Sequence, residues 1–404
     1  MSKLAIDGGS KIFEIPARLP SWPPSNEATA EELKKIYMGS KWSFYGPNEI
    51  AFNNEFAAYT GAAGAVMMAN GTVTLEVALQ ALGVGPGDEV IGPACTWIAT
   101  GSAPVVCGAT PVIVDIEPDT LCIDPEKIEE AITPKTRAII PVHLFGSMAD
   151  MEKIMDIAAR HNLYVIEDCA HAHGCEWNGK HAGTLGHVGS FSFQESKLMT
   201  SGEGGSCITC DPDLAEAMGR LSHIGYPYGA AQGQALTLPP MGMISHNYRI
   251  TEFQAAILRA QLRTLREETE LRARNAELLR QQLEMIPGIK VQSPGRCATL
   301  QSYYQFAFQI DPAVLKEGIT HEAFLAAVRA EGVGCSPGGW GAVMYRQKLW
   351  SIPENLYRVS SSEKAQEIIA NRLGIMGHTW LMLDKDEICK AADAFKKVME
   401  AYRR

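Results

Sequence analysis

The chain has 404 residues, of which 46% are hydrophobic and 20% charged, and its formal net charge is −10. That length supports more than one core, and the composition is that of an ordinary globular protein. The acidic balance, with no compensating basic run, excludes a nucleic-acid footprint, and no apolar run reaches membrane-spanning length.

The opening stretch MSKLAIDGGSKIFEIPARLP has no apolar signal-like segment, which predicts a cytoplasmic chain. Residues 1–40, with Pro16, Pro20, Pro23 and Pro24, read as an irregular arm packed on the rest. Residues 72–82 carry Val73, Val77, Ala78 and Ala81 at helical spacing, followed by a Gly-Val-Gly-Pro-Gly turn. Short apolar runs at 89–91, 112–114, 138–142 and 164–166 read as strands, with helical stretches at 97–108, 124–132 and 149–161 between them. Strands apolar on both faces and alternating with helices predict a mainly parallel sheet covered by helices. One more strand is expected at 204–210. It contains Cys207 and Cys210 in C-x-x-C spacing, but positions three apart on a strand face opposite ways and no second pair follows, so no metal is assigned. The ten cysteines are expected to be free thiols.

Beyond residue 225 the character changes. Residues 225–247, GYPYGAAQGQALTLPPMGMISHN, hold no acidic residue, lysine or arginine, and a loop of that length carries function or is disordered. A long helix is expected at 252–284, then a strand at 304–310 and helices at 321–330, 362–372 and 386–402.

Ligands of open α/β sheets bind at the carboxyl ends of the strands, and three features fall there. Ala69-Asn70-Gly71-Thr72 leads into a helix, whose free N–H groups and dipole suit a phosphate, although a plain N-cap explains Thr72 equally well. Asp168 closes the strand at 164–166 or forms a turn there. Ser192 and Lys197 follow the next strand in SFSFQESKLMTSGEGG. The Gly83–Gly87 run lies after a helix and before a strand, the reverse of a dinucleotide fingerprint, and no P-loop is present. A phosphate seat, a carboxylate and a lysine on one sheet edge suit pyridoxal 5'-phosphate, which needs a lysine for its Schiff base, an anion beside its ring nitrogen and a cradle for its phosphate.

Five stretches in order carry a resemblance: AVMMANGTVTLEVALQALGVGPGDEVIGPACTWIAT, TPVIVDIEPDTLCIDP, AIIPVHLFGSMADM, VIEDCAHAHGCEWNGKHAGTLGHVGSFSFQESKLMTSGEGG and HNYRITEFQAAIL. Over about residues 40–255, and more loosely to the end, the chain resembles the fold-type I aminotransferases of the DegT/DnrJ/EryC1/StrS family. The resemblance implies a mainly parallel seven-stranded sheet between helices in residues 41–255, then a long linking helix and a smaller α+β C-terminal domain in 256–404. By it Lys197 matches the Schiff-base lysine and Asp168 the partner of the ring nitrogen. Gly71, Thr72 and Ser192 match phosphate ligands, and Trp97 the aromatic that stacks on the ring, with core packing as its alternative. His171 stands beside the ring where many members have Gln. Its His-x-His spacing with His173 is not read as a metal site. Asn247 matches a phosphate ligand contributed by the neighbouring subunit of a homodimer, unless it caps the following helix, and the charge-free loop then reaches across the interface. The implied activity is ping-pong transamination from L-glutamine or L-glutamate to a ring ketone. Several motifs resemble the branch acting on scyllo-inosose or 2-deoxy-scyllo-inosose in aminocyclitol and antibiotic biosynthesis. Nucleotide-linked keto-sugars, a 3-amino-5-hydroxybenzoate synthase-like aromatisation and a non-catalytic cofactor-binding regulator stay open as alternatives. Trp42, Tyr45, His173, Tyr226 and Tyr345 are loop residues able to meet a polyol, although helix and interface packing explains each as readily, and Arg249 is a candidate for the donor carboxylate or for pairing at the interface.

Overall fold

Strong helix formers after a capping residue turn part of the expected N-terminal arm into a helix. In the computed structural model, which describes residues 3–14, 17–228, 230 and 242–404, Asn26 caps helix α1 (Glu27–Met38) by accepting from Thr29 N at 2.9 Å. The segment before α1 packs on the C-terminal part of the chain. Leu4 and Phe13 are buried in its core, and the N–H groups of Ala5 and Ile12 donate to the Glu331 carboxylate at 2.8 and 3.2 Å. Pro16 and, in the long loop, residues 229 and 231–241 lie outside the described residues.

From about residue 60 the β-α alternation appears as expected, preceded by one more helix. Helix α2 (Pro47–Thr60) precedes β1 (Gly64–Met68), α3 (Gly71–Ala81), β2 (Glu89–Pro93), α4 (Ala99–Val106) and β3 (Thr110–Val114). Then follow α5 (Pro125–Ala131), β4 (Thr136–Ile139), α6 (Met151–His161) and β5 (Tyr164–Asp168). A short hairpin, β6 (Glu176–Trp177) and β7 (Lys180–His181), leads to β8 (Val188–Ser192), β9 (Gly205–Thr209) and α7 (Pro212–Ser222). The hairpin turns through Asn178 and Gly179 at φ 49° and 77°, the left-handed pair that an Asn-Gly turn supplies.

The large sheet has the order β1-β9-β8-β5-β4-β2-β3, and an eighth strand, β14 (Arg358–Val359), pairs in parallel with β3. The expected seven strands are therefore joined by a two-residue segment from far along the chain. Strands β8, β5, β4, β2 and β3 run parallel, while β9 is antiparallel to both of its neighbours. Alternate residues of the strands other than β3 and β14 fall into different apolar cores: Val66 and Met68 of β1 lie in one, Ala65 and Met67 in the other, whereas Val112, Ile113 and Val114 of β3 share one. Burial on both faces is what the continuous apolar runs require.

Helix α8 (Glu252–Leu283) opens with a capping box between Thr251 and Gln254 and runs from the large sheet into a third core. That core is closed by the antiparallel sheet β10-β12-β15-β13, namely β10 (Ile289–Val291), β12 (Gln305–Ile310), β13 (Ser336–Pro337) and β15 (Leu373–Gly377). Strand β11 (Ala298–Leu300) instead joins the β6–β7 hairpin. Helices α9 (His321–Ala330), α10 (Glu363–Asn371) and α11 (Lys385–Tyr402) complete the described chain. All ten cysteines are free thiols, with Cys207 buried in β9 and Cys210 exposed just beyond it. Among the described residues no helix is long and apolar enough to cross a membrane.

One buried cluster went unnoticed in the sequence. Glu167, fully buried on β5, accepts from Gly183 N, Leu185 N and Gly186 N at 2.9, 2.8 and 2.6 Å and lies 2.9 Å from His143 Nε2. His143 Nδ1 accepts from Ala149 N at 3.2 Å, so the ring proton sits on Nε2 and faces Glu167. The three backbone donors tie the loop before β8, and His143 the segment after β4, to the strand that carries Asp168.

Candidate active site

At the carboxyl ends of β1, β5 and β8 a cavity of about 770 Å³ opens. Seven of the eight site residues expected from the sequence line it: Gly71, Thr72, Trp97, Asp168, His171, Ser192 and Lys197. Asn247 does not. It is exposed, and it forms a β-bridge with His223 away from the cavity lining.

The floor is set by strand ends. Asp168, the last residue of β5, accepts from Ala170 N at 3.2 Å and from the Thr100 hydroxyl at 3.1 Å. Burial pushes its carboxyl above the usual range, and these donors, with the charge of Lys197, pull it back. Lys197 lies in the turn between β8 and β9. Burial lowers its pKa to about 8, with Asp168 opposing the shift. Its Nζ stands 4.7 Å from the centre of the Tyr304 ring, a cation–π contact.

The start of α3 differs in detail from expectation. The N–H groups of Thr72 and Val73 are not free, because both donate to Asn70 Oδ1 at 3.0 Å. Gly71 is pressed against β8: a Cβ there would lie 2.6 Å from Ser192 Cβ, so only glycine admits this approach. The Thr72 hydroxyl has no hydrogen-bond partner among the described residues. It faces the same cavity as Ser192, with the positive end of α3 behind it.

His171 is held by stacking. Its ring lies 4.1 Å from that of Tyr304 at 20°, and its Nδ1 accepts from Phe145 N at 3.3 Å. Burial, then the nearby Lys197, push its pKa well below the usual value, so it stays neutral with the proton on Nε2. Tyr304 and Trp340, both from beyond residue 300, complete the walls. Neither was expected from the sequence, where the only cues are a tyrosine pair before a strand and a tryptophan among glycines. The Tyr304 hydroxyl bonds to Ser196 Oγ at 2.8 Å, and Ser196 Oγ in turn donates to Gln194 Oε1 at 2.7 Å.

The residues considered for substrate contact lie elsewhere. Trp42 stacks on Tyr37 at 5.7 Å and donates to Ile36 O at 3.1 Å, Tyr45 stacks on His223 at 4.0 Å, and Tyr226 packs on Phe44 at 5.3 Å. His173 is buried against Phe191 and Phe193, the Tyr345 hydroxyl bonds to Ser362 Oγ at 2.8 Å, and Arg249 covers the Phe44 ring at 5.0 Å.

Pyridoxal phosphate fits these residues. The Thr72 hydroxyl and the Lys197 ammonium face the cavity without hydrogen-bond partners among the described residues, a buried carboxylate lies beneath, and Trp97 offers a half-exposed indole. Residues 24–390 match the family model described as the DegT/DnrJ/EryC1/StrS aminotransferase family. The chain belongs to that family. Its members are aminotransferases that depend on pyridoxal phosphate, and this protein is an aminotransferase among them. It is 37% identical to L-glutamine:2-deoxy-scyllo-inosose aminotransferase of Streptoalloteichus tenebrarius over 98% of this chain and 97% of the relative. It is 36% identical to the protein of the same name from Streptomyces kanamyceticus, over 99% and 97%. Among solved structures, 3-amino-5-hydroxybenzoic acid synthase superposes with a TM-score of 0.83 at 32% identity, covering 96% of this chain and all of that one.

Proposed function

We propose that the protein is a cytoplasmic pyridoxal-phosphate aminotransferase that moves an amino group from L-glutamine to the ring ketone of a scyllo-inosose-type cyclitol. The observation that carries this reading is that Lys197, Asp168, Thr72 and Ser192 line one cavity. The cofactor, when bound, supplies the carbon that takes up the amino group and the ring that accepts electrons from the substrate carbanion.

Lys197 would hold the cofactor through its Nζ. Its lowered proton affinity leaves an amine that, when not holding the cofactor, would take and return the proton at the donor Cα. Asp168 would hold the ring nitrogen in its protonated form. The Thr72 and Ser192 hydroxyls would donate to the phosphate, Trp97 would pack against the ring, and neutral His171 offers an Nε2–H. The same groups would serve the acceptor ketone.

The names of the relatives support a glutamine donor and an inosose acceptor. The cavity supports the same choice over a nucleotide-linked sugar, since Lys197 is the one cationic side chain among its described lining residues and no arginine waits for a diphosphate. We further propose a homodimer in which Asn247 serves the neighbouring subunit's phosphate. Its exposure, away from the lining of its own cavity, supports that role.

The test is the visible spectrum of the protein with pyridoxal phosphate before and after L-glutamine. A band that disappears in Lys197→Ala and that glutamine bleaches, followed by recovery on adding 2-deoxy-scyllo-inosose, is the expected result. Bleaching with recovery only on a nucleotide-linked keto-sugar would refute the acceptor, and no Lys197-dependent band would refute the cofactor assignment.

A further inference from the structure

Resting on the cyclitol reading above, we propose that Trp340 selects the acceptor by stacking its indole on the C–H face of a ring whose hydroxyls are equatorial. Trp340 sits in the run Gly338-Gly339-Trp340-Gly341 with φ 54° and ψ 21°, the left-handed region that a bulky side chain enters only where its surroundings hold it there. The neighbouring glycines supply the hold. A Cβ on Gly338 would lie 2.7 Å from Leu373, and one on Gly339 would lie 2.8 Å from Ile369, so the turn is pinned against the sheet and α10.

The residue carried at this strained point does not serve the core. Trp340 is 39% exposed, and its indole N–H has no hydrogen-bond partner among the described residues. Its ring faces the cavity, 5.8 Å from Trp97 at 47° and 6.1 Å from His171 at 24°. Glycine would satisfy the backbone there more readily than tryptophan. With Trp97 and His171 taken up beside the cofactor, and the Tyr304 ring taken up by His171 and Lys197, Trp340 is the aromatic face left for the substrate.

A scyllo ring ketone presents axial C–H groups on both faces and hydroxyls around its rim. Weakly positive C–H groups meet the negative face of an indole favourably, while an axial hydroxyl would press an oxygen lone pair onto it and lose its water. The unpaired Nε1–H is then able to donate to one equatorial hydroxyl. An uncharged, aromatic wall of this kind offers a phosphate no counter-charge.

The experiment measures the two half-reactions of the holoenzyme separately for wild type, W340L and W340F. L-glutamine bleaching reads the donor half. The KM for 2-deoxy-scyllo-inosose, and for an epimer carrying one axial hydroxyl, reads the acceptor half. W340L should raise the acceptor KM about tenfold and shrink the preference over the axial epimer by a similar factor, with glutamine bleaching changed less than about twofold. W340F, which keeps a ring on the same turn, should stay within about threefold of wild type and keep the preference. Unreactive scyllo-inositol should quench wild-type fluorescence more than that of W340F, a readout independent of turnover. Equal damage to both half-reactions, an unchanged acceptor KM in W340L, or loss of epimer preference in W340F would overturn the role of Trp340. Wild-type protein that bleaches with glutamine yet accepts no cyclitol ketone would instead overturn the acceptor reading, and the Trp340 proposal with it.

Discussion

Cofactor-free protein should capture pyridoxal phosphate at a rate set by the neutral fraction of Lys197. Only the neutral amine carries the lone pair that attacks the cofactor's carbonyl. With a pKa of about 8, roughly a quarter of Lys197 is neutral at pH 7.5, against about one part in a thousand for a lysine at 10.5. Capture should therefore rise about tenfold between pH 7 and 9 and then level off, whereas an ordinary lysine would rise about a hundredfold with no plateau in that range. Burial is the cause of the lowered value and Asp168 opposes it, so removing that carboxylate has a definite sign. Asp168→Asn should move the rising limb to still lower pH. The assay is stopped-flow absorbance after mixing apoprotein with cofactor at fixed ionic strength. A limb that continues past pH 10 in the wild type would refute the claim that burial tunes this lysine, and a limb shifted upward in Asp168→Asn would refute the electrostatic part.

Two further perturbations probe the scaffold. Gly71→Ala puts a methyl group 2.6 Å from Ser192 Cβ, so α3 must retreat from β8. Cofactor affinity should fall about tenfold or more, measured by equilibrium titration, with the far-UV spectrum unchanged. Glu167→Ala leaves three backbone N–H groups, those of Leu185 and Gly186 half-buried, and the buried His143 Nε2–H without their acceptor. A loss of about 3–5 kcal/mol is expected in denaturant unfolding, and Glu167→Gln should lose less because its amide oxygen keeps some of the four.

Much of the architecture was legible because apolar burial has a period. Residues 90–91, 138–140 and 165–166 divide between two apolar cores because helices cover both faces of the sheet there. Asp168 and Lys197 were legible because they are local: Asp168 ends one apolar strand, Lys197 lies in the turn after another, and the parallel sheet brings strand ends together. The Asn178-Gly179 hairpin was equally local and was overlooked, although its turn chemistry stood in the sequence. The helix α1, hidden among prolines, had its signal in Asn26 and the helix formers after it.

Tyr304, Trp340, β14 and the Glu331 anchor for the N-terminal segment had no such signal. Each depends on a partner 100 or more residues away: Tyr304 meets Lys197, Trp340 meets Trp97, Arg358 pairs with Val112 and Ala5 donates to Glu331. The sequence by itself determined the sheet, the helices over it, the floor of the cavity and the cofactor it suits, because periodicity and strand-end chemistry are written within a few residues. Only the tertiary structure decided which aromatic rings wall the cavity and whether Thr72 N or Asn247 points into it, because such contacts depend on how distant segments close on one another and leave no local pattern.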